Sequence, residues 1–199
     1  RRTTARMLRT EFQVGLAGIT SRLFEADETI KSVEIDNALP VTDDLVFFFL
    51  TVQFDTGTSQ KRLSDRLSNV RIVDVSTATT NGHTHHLGVV ANLSEASVLS
   101  LLTERQAIPH RIVGHDTHLD VVASVRDWNH LKEVADDIEA EHGSLELVGT
   151  TQTETIGFPL GGEKIKQSIW GKLSDEQLNL LEIAYQMGYF KVPQEVTAE

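Results

Sequence analysis

The chain has no cysteine, which excludes disulfides, thiolate metal sites and cysteine nucleophiles and fits a cytoplasmic protein. No apolar run approaches the roughly 18 residues of a membrane span. The longest, Leu45-Val46-Phe47-Phe48-Phe49-Leu50-Thr51-Val52, is strand length. No apolar stretch follows the basic Arg1-Arg2-Thr3-Thr4-Ala5-Arg6, so no signal peptide is read there. The chain does not begin with Met, so residues upstream of Arg1 are expected. Gly57-Thr58-Ser59 precedes a helical stretch but lacks the Gly-Lys-Ser/Thr of a phosphate loop and the three-glycine dinucleotide spacing. Gly-x-Ser-x-Gly is also missing. Neither catalysis nor a cofactor is expected.

What is present fits a globular chain of 199 residues, 40% hydrophobic and 24% charged, enough for one full domain plus a fragment or for two small domains. The net charge of −11 is unevenly spread. Residues 1–10 carry four Arg and no acid, whereas residues 11–162 carry 10 basic and 23 acidic side chains. A body this acidic repels a phosphate backbone. It also suits high salt.

Hydrophobic period places the elements. Residues 1–10 read as an arm or the end of an upstream element. Strands are expected at 11–16, 30–36, 45–54, 70–76, 85–91, 110–114, 118–125 and 144–149. Helical turns fall at 19–26 and 59–68. A helix capped by Ser94 carries Val98, Leu101 and Leu102. The longest helix is capped by Asp127, carries Trp128, Leu131, Ala135 and Ile138, and is stopped by Gly143. Leu45–Phe54 reads as a central strand covered on both faces. Asn81-Gly82 is the strongest hairpin signal. The last six elements spell βαββαβ, so the expected fold is α+β: a ferredoxin-like sandwich with helices on one face of an antiparallel sheet. The preceding βαββ suggests a second, related half-unit.

His83-Thr84-His85-His86 is the sharpest cluster of metal-ligating side chains, since His83 and His85 lie two apart on a strand. His110, His115 and His118 lie in another hairpin that could approach it. Polar, exposed hairpin arms explain both more cheaply, and no metal is assigned. Asp116 reads as a turn residue bonding its own backbone. Asp43-Asp44 and Asp136-Asp137 read as solvated acids, and the Trp128 stripe as core.

The C-terminal stretch is the most specific. Ser174 and Gln177 form a capping box, with Leu173 and Leu178 as its staple. Leu178, Leu181 and Tyr185 make an apolar stripe, and Gly188 ends the helix. Tyr189 and Phe190 can pack back on it. Val192-Pro193 is extended, and Thr197 caps a second helix start. This stretch resembles the opening of the helix-turn-helix domain of bacterio-opsin-activator-type transcription regulators, archaeal proteins mainly from halophiles. The matching positions are Leu173, Ser174, Gln177, Leu181, Ala184, Tyr185, Gly188, Tyr189, Phe190, Pro193, Val196, Thr197 and Glu199. Gln194 departs from it, since the family commonly has Arg there. In that family a domain of about this length precedes the helix-turn-helix, often after a GAF sensor domain.

The expected organisation is an arm at 1–10, an α+β regulatory domain at 11–150, a linker at 151–172 and the opening of a helix-turn-helix domain at 173–199. The resemblance implies a DNA-binding transcription regulator, not an enzyme, whose recognition helix lies beyond Glu199. DNA is the expected partner of the longer protein, not of this stretch alone. A homodimer and a small-molecule effector are further expectations, with a small-molecule or metal sensor module as the alternative reading.

Overall fold

Leu8, Thr10, Phe12 and Val14 alternate with Met7, Arg9, Glu11 and Gln13, and a period of two lets a strand bury one side only. These residues form β1 (Met7–Gly15), which begins inside the stretch read as an arm. The computed structural model describes residues 6–55, 61–77, 83–155 and 157–162, within the first of two units, Arg1–Gly162 and Glu163–Glu199. After β1 come α1 (Gly18–Ala26), β2 (Ile30–Pro40), β3 (Leu45–Phe54), α2 (Lys61–Arg66), β4 (Arg71–Thr77) and β5 (Thr84–Asn92). A 3-10 turn (Leu93–Ala96) leads into α3 (Ser97–Glu104), β6 (Ile108–Gly114), β7 (His118–Val125), α4 (Trp128–His142) and β8 (Leu145–Thr153). The Asn81-Gly82 hairpin, Gly57-Thr58-Ser59 and residues 173–199 lie outside the described residues. No helix of the described residues is long and apolar enough to cross a membrane.

The eight strands form one antiparallel sheet in the order β4-β5-β3-β2-β6-β7-β1-β8. The α+β class is as expected, but the last six elements do not make a sheet of their own. The element order runs β1-α1-β2-β3-α2-β4 and then repeats as β5-α3-β6-β7-α4-β8. Under that correspondence the sheet reads the same from either edge, with one exchange. β1 lies between β7 and β8, and β5 lies between β3 and β4. Each half of the sheet therefore borrows its first strand from the other half of the chain. The two halves meet along a short seam, Val33↔Gly114 and Glu34↔Val113.

One side of the sheet carries the core. Phe12, Val33, Phe48, Leu50 and Val121 are essentially inaccessible there and join Ile19, Leu23, Leu63, Leu102 and Ile138 from the helices. Gly114 lies against Thr20 and Phe24 of α1, so bare backbone lets that helix approach. β3 is not covered on both faces: Phe48 is buried, but its neighbour Phe49 is 45% exposed and meets Phe47 edge-on at 4.7 Å. In an antiparallel sheet one face can stay uncovered while central strands remain strongly apolar. β2 resolves its ambiguous register by bulging between Ile30 and Ser32, which turns both Ile30 and Val33 inward.

Asp127 caps α4, its carboxylate accepting from the His130 N–H at 2.9 Å, and Gly143 at φ 84° lets the chain leave. Ser94 is not a helix cap. It sits inside the 3-10 turn, and α3 starts from Ala96 with no side-chain cap bond. Pro109 does not merely end a helix but belongs to β6, at a register shift where its missing N–H costs no ladder bond. Trp128 is not core. It is 59% exposed, and Leu131, Val134 and Ile138 supply the buried stripe.

Candidate functional site on the uncovered sheet face

Residues facing away from the core are mostly polar, because each pairs across the ladders with another outward-facing residue. Arg9 lies opposite Ser124, Gln13 opposite Asp120, Glu34 opposite Thr51, and Thr51 opposite His86. Asp43, Asp44 and Asp136 are exposed, as expected of solvated acids. Asp137 pairs with Arg105.

Three arrangements stand on this face. The first is a chain of bonds across the seam side of β3. Thr51 Oγ1 donates to Asp36 Oδ2 at 2.6 Å and lies 2.9 Å from His86 Nδ1. A hydroxyl has one proton, so His86 Nδ1 must carry the hydrogen of the second bond. Threonine offers no activated nucleophile here, and the chain orients an imidazole rather than assembling a catalytic group.

The second arrangement holds the segment that follows β8. Residues 157–162 cross the face from β1 over β6 to β2. Leu160 N–H donates to the Pro109 carbonyl at 2.8 Å. His110, buried, donates from Nδ1 to the Phe158 carbonyl and accepts at Nε2 from Ser124 Oγ at 2.7 Å. At Gly161, with φ 78°, a Cβ would stand 2.3 Å from the Asp36 carbonyl oxygen, so only glycine lets the segment lie this close to β2. Burial pushes the His110 pKa below the ordinary histidine value. The Phe158 carbonyl opposes the shift, and the Arg9 charge adds to it. Neutral imidazole is also the form that this donor–acceptor pattern requires.

A pH dependence follows. The unfolded chain binds a proton at His110 around pH 6.5, where the native state still resists it. The His110 contribution is therefore complete above about 6.5 and is lost as pH falls from there through the lower native value. Urea titrations should show the wild type losing stability faster than His110→Leu in that window. Near neutral pH the variant should be less stable by about 1–3 kcal/mol, because the Ser124 hydroxyl and the Phe158 carbonyl lose a buried partner.

The third arrangement is at the β6–β7 hairpin. His115 Nε2 lies 2.9 Å from Asp120 Oδ2, and His118 Nε2 lies 3.4 Å from Asp120 Oδ1. Gln13 Nε2 donates to Asp120 Oδ1 at 2.8 Å, and Thr117 Oγ1 lies 3.1 Å from His118 Nδ1. The carboxylate that meets both rings is Asp120, not the intervening Asp116. Strand period could have found it, since His118 and Asp120 are two apart and share a face.

The His83-Thr84-His85-His86 cluster does not converge. His85 turns into the core against Phe54, ring to ring at 5.1 Å, while His86 faces the other way to Thr51. His83 precedes β5, and its carbonyl accepts from Phe54 N–H at 2.8 Å. Among the described residues, His115, His118 and Asp120 are the one group of three such side chains within metal-binding reach. On the core side, an apolar groove of about 240 Å³ opens between α4 and β8, lined chiefly by Phe12, Trp128, Leu131, Leu145 and Leu147.

Residues 12–155 match the family described as BAT: GAF and HTH_10 associated domain. Residues 173–199 match the family described as HTH_10: HTH DNA binding domain. The curated proteins contain no match to the chain.

Proposed function

This chain belongs to the BAT family, the GAF and HTH_10 associated domains, and from that premise we propose how it serves as a DNA-binding transcription regulator. Residues 11–150 are its regulatory and dimerisation body and have no enzymatic role. Residues 151–172 link that body to the helix-turn-helix at 173–199. The body consists of two ferredoxin-like half-units that have exchanged their first strands, a reading supported by the repeated element order and the sheet order. A homodimer sets the spacing of two DNA half-sites, and an effector shifts the balance between orientations of the DNA-binding heads.

The observation that carries this reading is the tandem order of the two family matches on one chain. The test is selection of binding sequences from a random DNA pool by the protein expressed from its complete reading frame. An enriched motif that disappears on deletion of residues 173–199 supports it, and a pool without enrichment overturns it. For the dimer, exposed Leu147 and Val148 on the edge strand β8 offer an unpaired ladder. Sedimentation at high salt and high concentration should find a dimer, and a strict monomer sinks that part.

The apolar groove favours a second reading, a small-molecule sensor without direct DNA contact. A thermal-shift screen of apolar metabolites separates the two. Stabilisation by such a compound, abolished by Leu147→Asp, without any selected DNA motif, supports the sensor alone.

A further inference from the structure

The geometry points to a divalent transition-metal site at the β6–β7 hairpin, formed by His115, His118 and Asp120. It is independent of the DNA-binding reading. One ligand atom from each of the three side chains lies within 4.8 Å of the other two. A tetrahedral zinc ion with bonds of roughly 2.0–2.1 Å holds its ligand atoms about 3.3 Å apart. The Nε2-to-carboxylate separations of 2.9 and 3.4 Å straddle that value. The two imidazoles are tilted by 33° with centroids 5.2 Å apart, so both edges reach one point without stacking.

The surroundings are arranged as metal sites require. A ligating histidine hydrogen-bonds through its other ring nitrogen, which fixes its tautomer. His118 has that partner in Thr117 Oγ1, 3.1 Å from Nδ1, leaving Nε2 to point at Asp120. A ligating carboxylate is itself held in place, and Gln13 reaches across from β1 to hold Asp120 Oδ1 at 2.8 Å. Four residues from two strands and a turn thus support one small volume. The bland alternative is that the carboxylate simply accepts hydrogen bonds from the two rings. That alternative does not require Gln13 and Thr117 to orient the same group, and it predicts no metal affinity.

Two imidazoles and one carboxylate select a borderline ion such as Zn²⁺, Co²⁺, Ni²⁺ or Fe²⁺ over Mg²⁺ or Ca²⁺, which prefer all-oxygen sites. Three protein ligands leave at least one position for water or an exogenous ligand. The side chains are 33–40% exposed, so the ion can exchange with solution. This is the character of a sensing site rather than of a buried structural one.

The test is calorimetric titration of Zn²⁺ into the tag-free, chelator-treated chain, with Mg²⁺ as control. One saturable Zn²⁺ per chain is expected, with no Mg²⁺ binding. His118→Ala and the isosteric Asp120→Asn should each weaken it at least tenfold. Gln13→Leu should weaken it 10- to 100-fold, as loss of an outer-shell partner does. All three variants should keep the melting temperature of the metal-free wild type, since the ligands are partly exposed. Absence of saturable binding overturns the site. So does binding that survives in Asp120→Asn and His118→Ala, or that is lost in His83→Ala/His86→Ala while these two retain it.

Discussion

A chain shortened to begin at Ala17 should lose its cooperative unfolding transition. β1 is not a terminal extension but an interior strand, paired along its length to β7 on one side and to β8 on the other. Leu8, Phe12 and Val14 are 1–3% exposed. Burying three such side chains contributes roughly 5–9 kcal/mol, against a typical net stability of about 5–15 kcal/mol. Deletion also strips two ladders of their partners and opens the core beneath α4, where Phe12 lines the groove. Heating followed by far-UV circular dichroism should give a broad, non-cooperative decay. Adding a peptide of residues 6–16 in trans should restore the sigmoid. A sharp transition in the shortened chain without peptide would show that β7 and β8 close without β1 and would refute the exchange of first strands.

Phe48→Ala should cost about 3–5 kcal/mol, whereas Phe49→Ala, one residue along, should cost less than about 1 kcal/mol. The side chains differ only in which way they point. Phe48 is wholly inaccessible on β3, fully within the core, and truncation leaves a void among residues such as Leu50 and Val89. Phe49 stands on the other face with nearly half its surface in water. Its loss removes chiefly an edge-on contact with Phe47. Urea unfolding of the two variants measures both. Equal costs would mean that something covers the polar face over β3.

What the sequence allowed to be read was local. The alternation in β7 and the helical period of α4, with Asp127 as its cap, are visible in residues a few positions apart, and each formed as expected. Strand partners were not visible. The pattern βαββαβ is the same whether β5 pairs inside its own half or leaves it, because side-chain period says nothing about which strand lies alongside. The β2 bulge at Lys31 defeated strict alternation for a related reason: an extra residue changes the face without changing the composition. Trp128 was misread because it shares helical spacing with Leu131, although it lies at the first turn, beyond the sheet's edge cover.

The polar face was less legible still. His86 and Thr51 meet across 35 residues, and His110 and the Phe158 carbonyl across 48. Neither pair leaves a local trace. The hairpin cluster was half visible, since His115 and His118 stand out, but Asp116 is the nearer carboxylate in sequence and Asp120 the nearer in space. Gln13 comes from the far end of the chain and could be found only through the β1–β7 register.

The exchange of first strands also sets an order of events during synthesis. β2, β3, β4 and β5, half of the sheet, are all available once Asn92 has been made. β1 is made before any of them and belongs with none of them. Thr10 bonds to Gly149, 139 residues later. At about 5–20 residues per second, the ribosome takes roughly 7–28 s to deliver that partner. Throughout this interval the oldest part of the nascent protein, with Leu8, Phe12 and Val14 uncovered, must stay unpaired beside a half-sheet that is already complete, and the last strand made releases the first from waiting.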